Sequence, residues 1–386
     1  MGYTSPIRKF VNPEIVYGIG ALGLAGQYAR TYGVRRLLVV SDPGVIAAGW
    51  TGRVIASLNE AGIDSVLFSA VSPNPRASEV MSGAELYLGT KCDAIIVVGG
   101  GSPIDCAKGI GIVSTNNCHI LDCEGVDNVP NPMPPLICIP TTAGTSADIS
   151  QFAIIDNSME HVKIAIISKS TLPDVALIDP ETTTTMDPYL TACTGMDALV
   201  HAIEAYVSNA SSPLTDLHAL QAIRLISANI LTAIAEPRNL AARDAMMLAS
   251  LEAGLAFSNA SLGAVHAMAH SLGGYLDLPH GECNALLLEH VIAYNFSAAA
   301  GRFHDIALAM GIPENRMESG ECHSRLTDAI RKLRLSAGIT NSLQRVGVTN
   351  GIIPTLAEKA MKDACMVTNP RRPSMADIES IYEQAL

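Results

Sequence analysis

An α/β half followed by an all-helical half is the architecture predicted for this 386-residue chain, with residues 1–186 in the first domain and 187–386 in the second. Three observations carry that division. Up to residue 179 short aliphatic runs alternate with amphipathic stretches, the rhythm of a parallel sheet with crossover helices. Pro180, the threonine run 182–185 and Pro188 then mark a hinge, beyond which strand-like runs disappear and Ala- and Leu-rich helical patterns take over. Finally, the glycine-rich turns lie in the first half, whereas a histidine-bearing stretch free of Asp, Glu, Lys and Arg, 254–276, lies in the second.

Composition narrows the classes. With 48% hydrophobic and 16% charged residues the chain reads as a compact folded enzyme rather than a disordered one, and 386 residues suffice for two cores. A net charge of -12 without a basic stripe argues against nucleic acid as a partner. Nine cysteines, odd in number and without C-x-x-C, indicate neither a zinc knuckle nor a disulfide framework, and fit a reducing cytoplasm. The N-terminus lacks the apolar core of a signal peptide, and Pro6 departs from the myristoylation pattern. A membrane span over 254–276 has the length, but its histidines, Asn259 and several Ser and Gly exclude a lipid-facing helix.

Taken in order, the first half opens on Gly18-Ile19-Gly20-Ala21-Leu22-Gly23, a match to G-x-G-x-x-G with Asp42 following. The run before it is short and broken by Pro13, a poor buried strand, so this reads as a helix-entry turn. Strands are expected at 36–41 and 65–70, with one helix over 45–62 between them. Asp42, just past its strand, opens an Asp-Pro-Gly turn. The aliphatic run 94–98 enters Gly99-Gly100-Gly101-Ser102-Pro103 and then a helix, with Ser102 as N-cap and Asp105 completing a capping box. Three consecutive glycines exceed what a cap needs; they leave bare N–H groups at a helix N-terminus, a site for a pyrophosphate. A strand at 136–140 delivers Thr141, Thr142 and Thr145, hydroxyls able to bond phosphate or ribose or to cap their own backbone. Lys163 lies among apolar strand residues, and 175–179 is the last strand.

The second half reads as helices at 189–208, 213–235, 239–257, 260–276, 282–296 and 298–310, ending near 374–385. On the first of them Asp197 and His201 stand at i and i+4, side by side on one face. His266 and His270 are also one turn apart, and His280 follows a Leu-Pro step. Imidazoles in an apolar segment need partners, since an unpartnered buried polar group costs roughly 1 to 3 kcal/mol. One carboxylate and three imidazoles suit Fe(II), Zn(II) or a similar divalent ion. Spacing leaves open whether His270 or His280 is the last ligand.

The D-x-x-x-H pair, the H-x-x-x-H followed by P-H-G, and GGGSPIDCAK together resemble the iron-containing (group III) alcohol dehydrogenases, colinearly over nearly the whole chain. The resemblance implies a dehydroquinate synthase-like fold: an α/β NAD-binding domain and an all-α metal-binding domain. It implies Asp197, His201, His266 and His280 as metal ligands, with His270 beside the metal without binding it. The loop of Gly99, Gly100, Gly101 and Ser102 is implied to hold the cofactor phosphates, with Thr141, Thr142 and Thr145 also at the cofactor. By the same likeness Asp42 falls at the adenosine ribose, which favours NAD over NADP, Asn74 near the adenine side and Lys163 at the nicotinamide ribose. Phe152, Phe257 and Cys365 are implied as channel wall. Where many members have Gly-Ser-Glu, this chain has Ser146-Ala147-Asp148.

A dinucleotide facing a divalent metal, Fe2+ by the resemblance with Zn2+ as an alternative, implies interconversion of a small neutral alcohol or diol and its aldehyde with NAD. His270 is expected to move the released proton or to hold ribose and substrate. Between residues 186 and 290 the basic residues are Arg224, Arg238 and Arg243, too few for the phosphate and carboxylate clamp of a dehydroquinate synthase. A lyase or hydroxyacid-oxoacid transhydrogenase on the same fold is the alternative. A cytoplasmic homo-oligomer, with neither nucleic acid nor membrane as partner, is expected.

Overall fold

A computed structural model describes residues 7–313 and 319–386. Residues 1–6, and with them the reading of Pro6, lie outside the described residues. In chain order the first half contains β1 (Glu14–Tyr17), α1 (Ala25–Thr31), β2 (Arg36–Val40), α2 (Pro43–Ala47), α3 (Trp50–Glu60), β3 (Asp64–Phe68), α4 (Ala77–Gly89), β4 (Ala94–Gly99), α5 (Gly101–Asn116), β5 (Gly125–Val126), β6 (Leu136–Pro140), β7 (Phe152–Asn157), β8 (Val162–Ile167) and β9 (Val175–Ile178). The second half contains α6 (Pro188–Val207), α7 (Pro213–Ala235), α8 (Leu240–Ala260), α9 (Ala264–Leu276), α10 (His280–Asn295), α11 (Ala300–Ala309), α12 (Ser319–Ser336), α13 (Ile353–Lys362) and α14 (Met375–Gln384).

Six strands form one parallel sheet in the order β1-β9-β6-β4-β2-β3. Its central strands are mostly aliphatic, and all but Arg36 of their residues are buried, because both faces are covered. Leu37 and Val39 pack with Ala29, Val54 and Leu58 of α1 and α3, while Leu38 and Val40 pack with Val80, Ala107 and Ile110 of α4 and α5. The chain runs from β2 outward to β3, then crosses back so that β4 lies on the other side of β2. That reversal opens a crevice at the carboxyl ends of β2 and β4, where Asp42 and the glycine triad sit. A second sheet, β5-β8-β7, is built on an antiparallel β7–β8 hairpin that places Lys163.

Beyond residue 188 the described structure is helical. Residues 191–207 of α6 are buried, and the helix packs against α7, α8 and α10. The segments that carry Asp197 and His280 approach closely: a Cβ on Gly281 would lie 2.3 Å from the Cys193 carbonyl oxygen, so only glycine lets α10 start against α6. This is the dehydroquinate synthase-like arrangement of an α/β domain and a helical domain.

Several elements differ from the sequence reading. The segment before the first glycine turn is a strand after all, but a four-residue edge strand paired only with β9. The expected helix 45–62 is two helices, parted where Gly49 adopts φ +90°. The charge-free stretch 254–276 is interrupted at Ser261 (φ +60°) and buried on both sides of that break, so it forms no single span. β7 has no counterpart in the reading. Finally, α5 starts at Gly101 with Gly100 as N-cap, so Ser102 is not the cap and no capping box forms. By length and composition α7 would suffice to cross a membrane; its residues Ala219, Ala222, Ile223, Ile226 and Ile230 are buried in the helical core.

Candidate active site

One cavity of about 1040 Å³ lies between the carboxyl end of the sheet and the helical half. It is lined from one side by Asp42, Asn74, Gly100, Gly101, Ser102, Thr141, Thr142, Thr145 and Lys163, and from the other by Asp197, His201, His266, His270 and His280. Phe152 and Phe257 line it too. Gly99 and Cys365 are not among its lining residues.

On the sheet side the glycines hold β4 and the threonine loop together. A Cβ on Gly101 would come within 2.8 Å of Thr145 Cγ2, and one on Gly100 within 3.0 Å of Thr142 Cγ2. A Cβ on Gly99 would meet Pro103 at 2.5 Å, so that glycine serves the strand-to-helix turn itself. With Gly100 as the cap, no side-chain oxygen takes the first N–H groups of α5, and Gly100, Gly101 and Ser102 line the cavity; bare N–H groups at a helix N-terminus suit an anion. Ser102 Oγ instead donates to Pro73 O. The earlier glycine turn is already filled: Asp179 Oδ2 accepts from Gly20 N at 3.0 Å and Leu22 N at 3.3 Å. Its donors are therefore spent on a protein carboxylate.

Asp42 is the N-cap of α2, with Oδ1 accepting from Val45 N at 3.0 Å. Lys163, far from being a solvated edge charge, is buried, and burial lowers its pKa while Cys283, Asp156, Asp277 and Asp105 oppose that shift. Its Nζ donates to Asn74 Oδ1 at 2.7 Å, and Asn74 Nδ2 donates to Asp277 Oδ1 at 2.6 Å. Asn74 and Lys163 thus share one cluster at the edge of the helical half, whereas the likeness assigns Asn74 to the adenine side and Lys163 to the nicotinamide ribose. Ser146, at φ +49°, bonds Ser250 O (2.6 Å) on α8 rather than facing the cofactor loop.

On the helical side, four ligand atoms from Asp197, His201, His266 and His280 lie within 4.8 Å of one another. Asp197 Oδ1 is 4.0, 3.7 and 3.6 Å from Nε2 of His201, His266 and His280, too far for hydrogen bonds, so acceptors face each other across a gap. The outer nitrogens set the tautomers. His201 Nδ1 lies 3.2 Å from the Gly144 carbonyl and His266 Nδ1 2.7 Å from Glu204 Oε2; both partners only accept, so each Nδ1 carries hydrogen and Nε2 is left as the atom that faces Asp197. Asn284 Nδ2 donates to Asp197 Oδ1 (2.6 Å) and lies 3.1 Å from Nε2 of His266 and of His280. One hard oxygen and three borderline nitrogens, converging and bonded from behind, fit a divalent transition ion.

Electrostatics agree with that fit. Burial lowers His201 to about 4 and His280 well below its ordinary value, keeping both neutral as ligands must be. Burial opposes charge on Asp197, yet the imidazoles of His201, His280 and His266 hold its carboxyl well below the usual range. Burial also lowers His266, but Asp197 and Glu204 raise it to about 9, so a cation entering here competes with a proton.

His270 stands beside the cluster, stacked on His280 with centroids 5.2 Å apart, and its Nδ1 is 2.8 Å from Asp363 Oδ2. Cys365, expected in the channel wall, is fully buried in the short helix that Asp363 caps. Phe257 stacks on His201 at 4.3 Å and meets Phe152 edge-on at 5.6 Å, forming an apolar wall beside the ligands.

Sequence reasoning missed Glu204, Asn284 and Asp363. Glu204 also accepts from Gly263 N and Val265 N, so one carboxylate caps α9 and orients His266. A signal existed for two of them: 197, 201 and 204 share a face of α6, and 284 follows His280 by one turn. Asp363, distant in sequence, gave none.

Comparison with known proteins follows the same division. Residues 12–180 match the family model "Iron-containing alcohol dehydrogenase", and residues 191–386 match "Fe-containing alcohol dehydrogenase family, C-terminal". The chain is 42% identical over 371 residues to 1,3-propanediol dehydrogenase of Citrobacter freundii, covering 96% of each. It is 42% identical to alcohol dehydrogenase 4 of Schizosaccharomyces pombe, covering 99% of this chain and 90% of the other. Among solved structures, a 1,3-propanediol oxidoreductase superposes with a TM-score of 0.95 at 40% identity, covering 99% of this chain and 100% of that one. Matched in both halves and along almost its whole length, the chain belongs to the iron-containing alcohol dehydrogenase family, oxidoreductases that interconvert alcohols and aldehydes.

Proposed function

We propose that this enzyme passes a hydride between a small neutral primary alcohol or diol and NAD, with residues 1–186 holding the dinucleotide and residues 187–386 an Fe2+ or similar divalent ion. The observation that carries the reading is the single cavity of about 1040 Å³ whose opposite walls are the glycine loop and the Asp197–His201–His266–His280 cluster. When bound, the ion supplies Lewis acidity to the alcohol oxygen and NAD supplies the hydride acceptor.

The chain's own residues do the rest. Backbone N–H groups at Gly100, Gly101 and Ser102, at the start of α5, hold the pyrophosphate, with Thr141, Thr142 and Thr145 packed around them. The second carboxylate oxygen of Asp42 takes the ribose hydroxyls and disfavours a 2′-phosphate, so NAD is preferred over NADP. Lys163 and Asn74 hold the nicotinamide ribose. Phe152 and Phe257 exclude water beside the reacting carbon. His270 Nε2, with Nδ1 held by Asp363, carries the alcohol proton away or anchors the substrate.

A neutral substrate is supported by the lining: the lysine and arginine among its described residues are Lys163 and Arg76, both on the cofactor side. Arg243 is spent inside the fold on Thr191 and Pro237. A diol is supported by the relative named for 1,3-propanediol. The net charge of -12 and the nine free thiols support a cytoplasmic enzyme without nucleic-acid or membrane partners. Outward Leu214, Leu217 and Leu231 on α7 support a homo-oligomer.

The test is NADH absorbance with metal-loaded enzyme across C1 to C6 alcohols and diols, with NADP in parallel. Net NADH formation from neutral alcohols, and a lower KM for NAD than for NADP, is the expected result. Turnover of a hydroxyacid–oxoacid pair without net NADH would point to a transhydrogenase, and elimination without NADH to a lyase.

A further inference from the structure

Cys118 and Cys123 lie outside the cavity and take no part in the chemistry above. Asn117, at φ +51°, ends α5 and turns the chain back, and a 3-10 turn over Ile120–Cys123 then brings the two thiols together. Their Sγ atoms are 3.3 Å apart, one thiol donating to the other. Ile120 and Leu121 pack into the core between them, so the turn is fixed by burial rather than left to fluctuate. Cys118 is half-buried and reachable from solvent, whereas Cys123 and the other seven cysteines are buried. Burial, with Cys118 beside it, pushes the Cys123 thiol up to about 12. Two residues past Cys123, Gly125 pairs with Ile166 of β8, so the pair sits at the root of the hairpin that carries Lys163.

We propose that Cys118 and Cys123 form a redox-sensitive dithiol that closes to an intramolecular disulfide under a disulfide oxidant. The Cys118 thiolate attacks one sulfur of the oxidant, breaking its S–S bond and releasing one thiolate. Cys123 then loses its proton and attacks Sγ of Cys118 in the mixed disulfide, releasing the second thiol. Two protein thiols lose two electrons in all, and the oxidant leaves as two thiols carrying both protons. The pairing is local, needing closure of the sulfur gap from 3.3 Å to a covalent bond within a turn already formed.

The experiment treats the full-length protein with oxidised glutathione, counts free thiols after denaturation, and maps the bridge by mass spectrometry. Cleavage beside Asp122 puts the two cysteines on separate peptides that stay joined only through sulfur. The expected result is loss of two of the nine thiols, a Cys118–Cys123 linked peptide pair, and reversal by dithiothreitol. Cys123→Ser should stop at one glutathione on Cys118, and Cys118→Ser should lose no thiol, which also separates the two roles should either variant fold less well. An unchanged count, a bridge between other cysteines, or the same single glutathione adduct in the parent protein and in Cys123→Ser overturns the proposal.

Discussion

The two walls of the cavity are built by opposite means. The sheet wall presents main chain, and what matters at Gly100 and Gly101 is the absence of a side chain, since a Cβ there presses on Thr142 or Thr145. The helical wall presents side chains, each held by a further buried group: Gly144 O behind His201, Glu204 behind His266, Asn284 against Asp197, Asp363 behind His270. A main-chain site tolerates a change of chemistry but not of volume. A side-chain site fails when a partner one step removed is lost.

Breaking that contrast at its strongest point means removing a supporting group rather than a ligand. Glu204→Ala leaves His266 without its carboxylate and α9 without two of its first-turn bonds, and Asn284→Ala frees Asp197 of its amide donor. Each should weaken metal affinity by about 10 to 100-fold, read by chelator competition, with NAD affinity unchanged. On the opposite wall, Gly100→Val should weaken NAD binding by roughly tenfold or more, about 1.4 kcal/mol, with full metal content. Gly23→Val, where a Cβ meets open space, should leave titrated NAD affinity alone. If Gly23→Val weakened NAD and Gly100→Val did not, the earlier glycine turn would be the phosphate loop.

A smaller effect sharpens the comparison at the joint between the walls. Asp148 is buried beside the threonine loop, and burial raises its pKa to about 6, against the pull of its own backbone N–H and of Lys108. The folded state therefore holds a proton that the unfolded chain releases near its ordinary value of 3.8, so this group's contribution to stability falls as pH rises from about 4 to about 6. Asp148→Asn should remove that fall and gain on the order of 2 kcal/mol relative to the parent at pH 8, and much less at pH 4. Urea denaturation of both proteins at the two pH values measures it; a difference that does not change with pH contradicts the assignment.

Legibility followed the same contrast. The glycine loop was readable because an aliphatic strand, three glycines and a helix are adjacent in sequence, although α5 starts one residue ahead of the Ser102 cap the reading chose. The first G-x-G-x-x-G was set aside for its weak strand, and the physical reason is Asp179, a carboxylate 159 residues away. Helix periodicity exposed Asp197 with His201 and His266 with His270, but across the Leu-Pro step the spacing was silent about His280. Cys365, put in the channel wall by likeness alone, is buried behind His270, its sulfur within 4.8 Å of the His270 and Asp363 donor atoms, because Asp363 turns α13 into the next short helix. β7 went unread because its four apolar residues, 152 to 155, run together without alternation and end on Asp156 and Asn157.

The most direct test is metal analysis beside steady-state kinetics on five alanine variants, Asp197→Ala, His201→Ala, His266→Ala, His280→Ala and His270→Ala. The first four should lose metal and activity together, since each removes a donor of the converging set. His270→Ala should keep its metal while turnover falls by something like 10²-fold, the lower end of what general acid–base catalysis contributes. Loss of metal from His270→Ala with retention in His280→Ala would mean that the ion is held by the helical pair 266 and 270, and the account of this active site would be wrong.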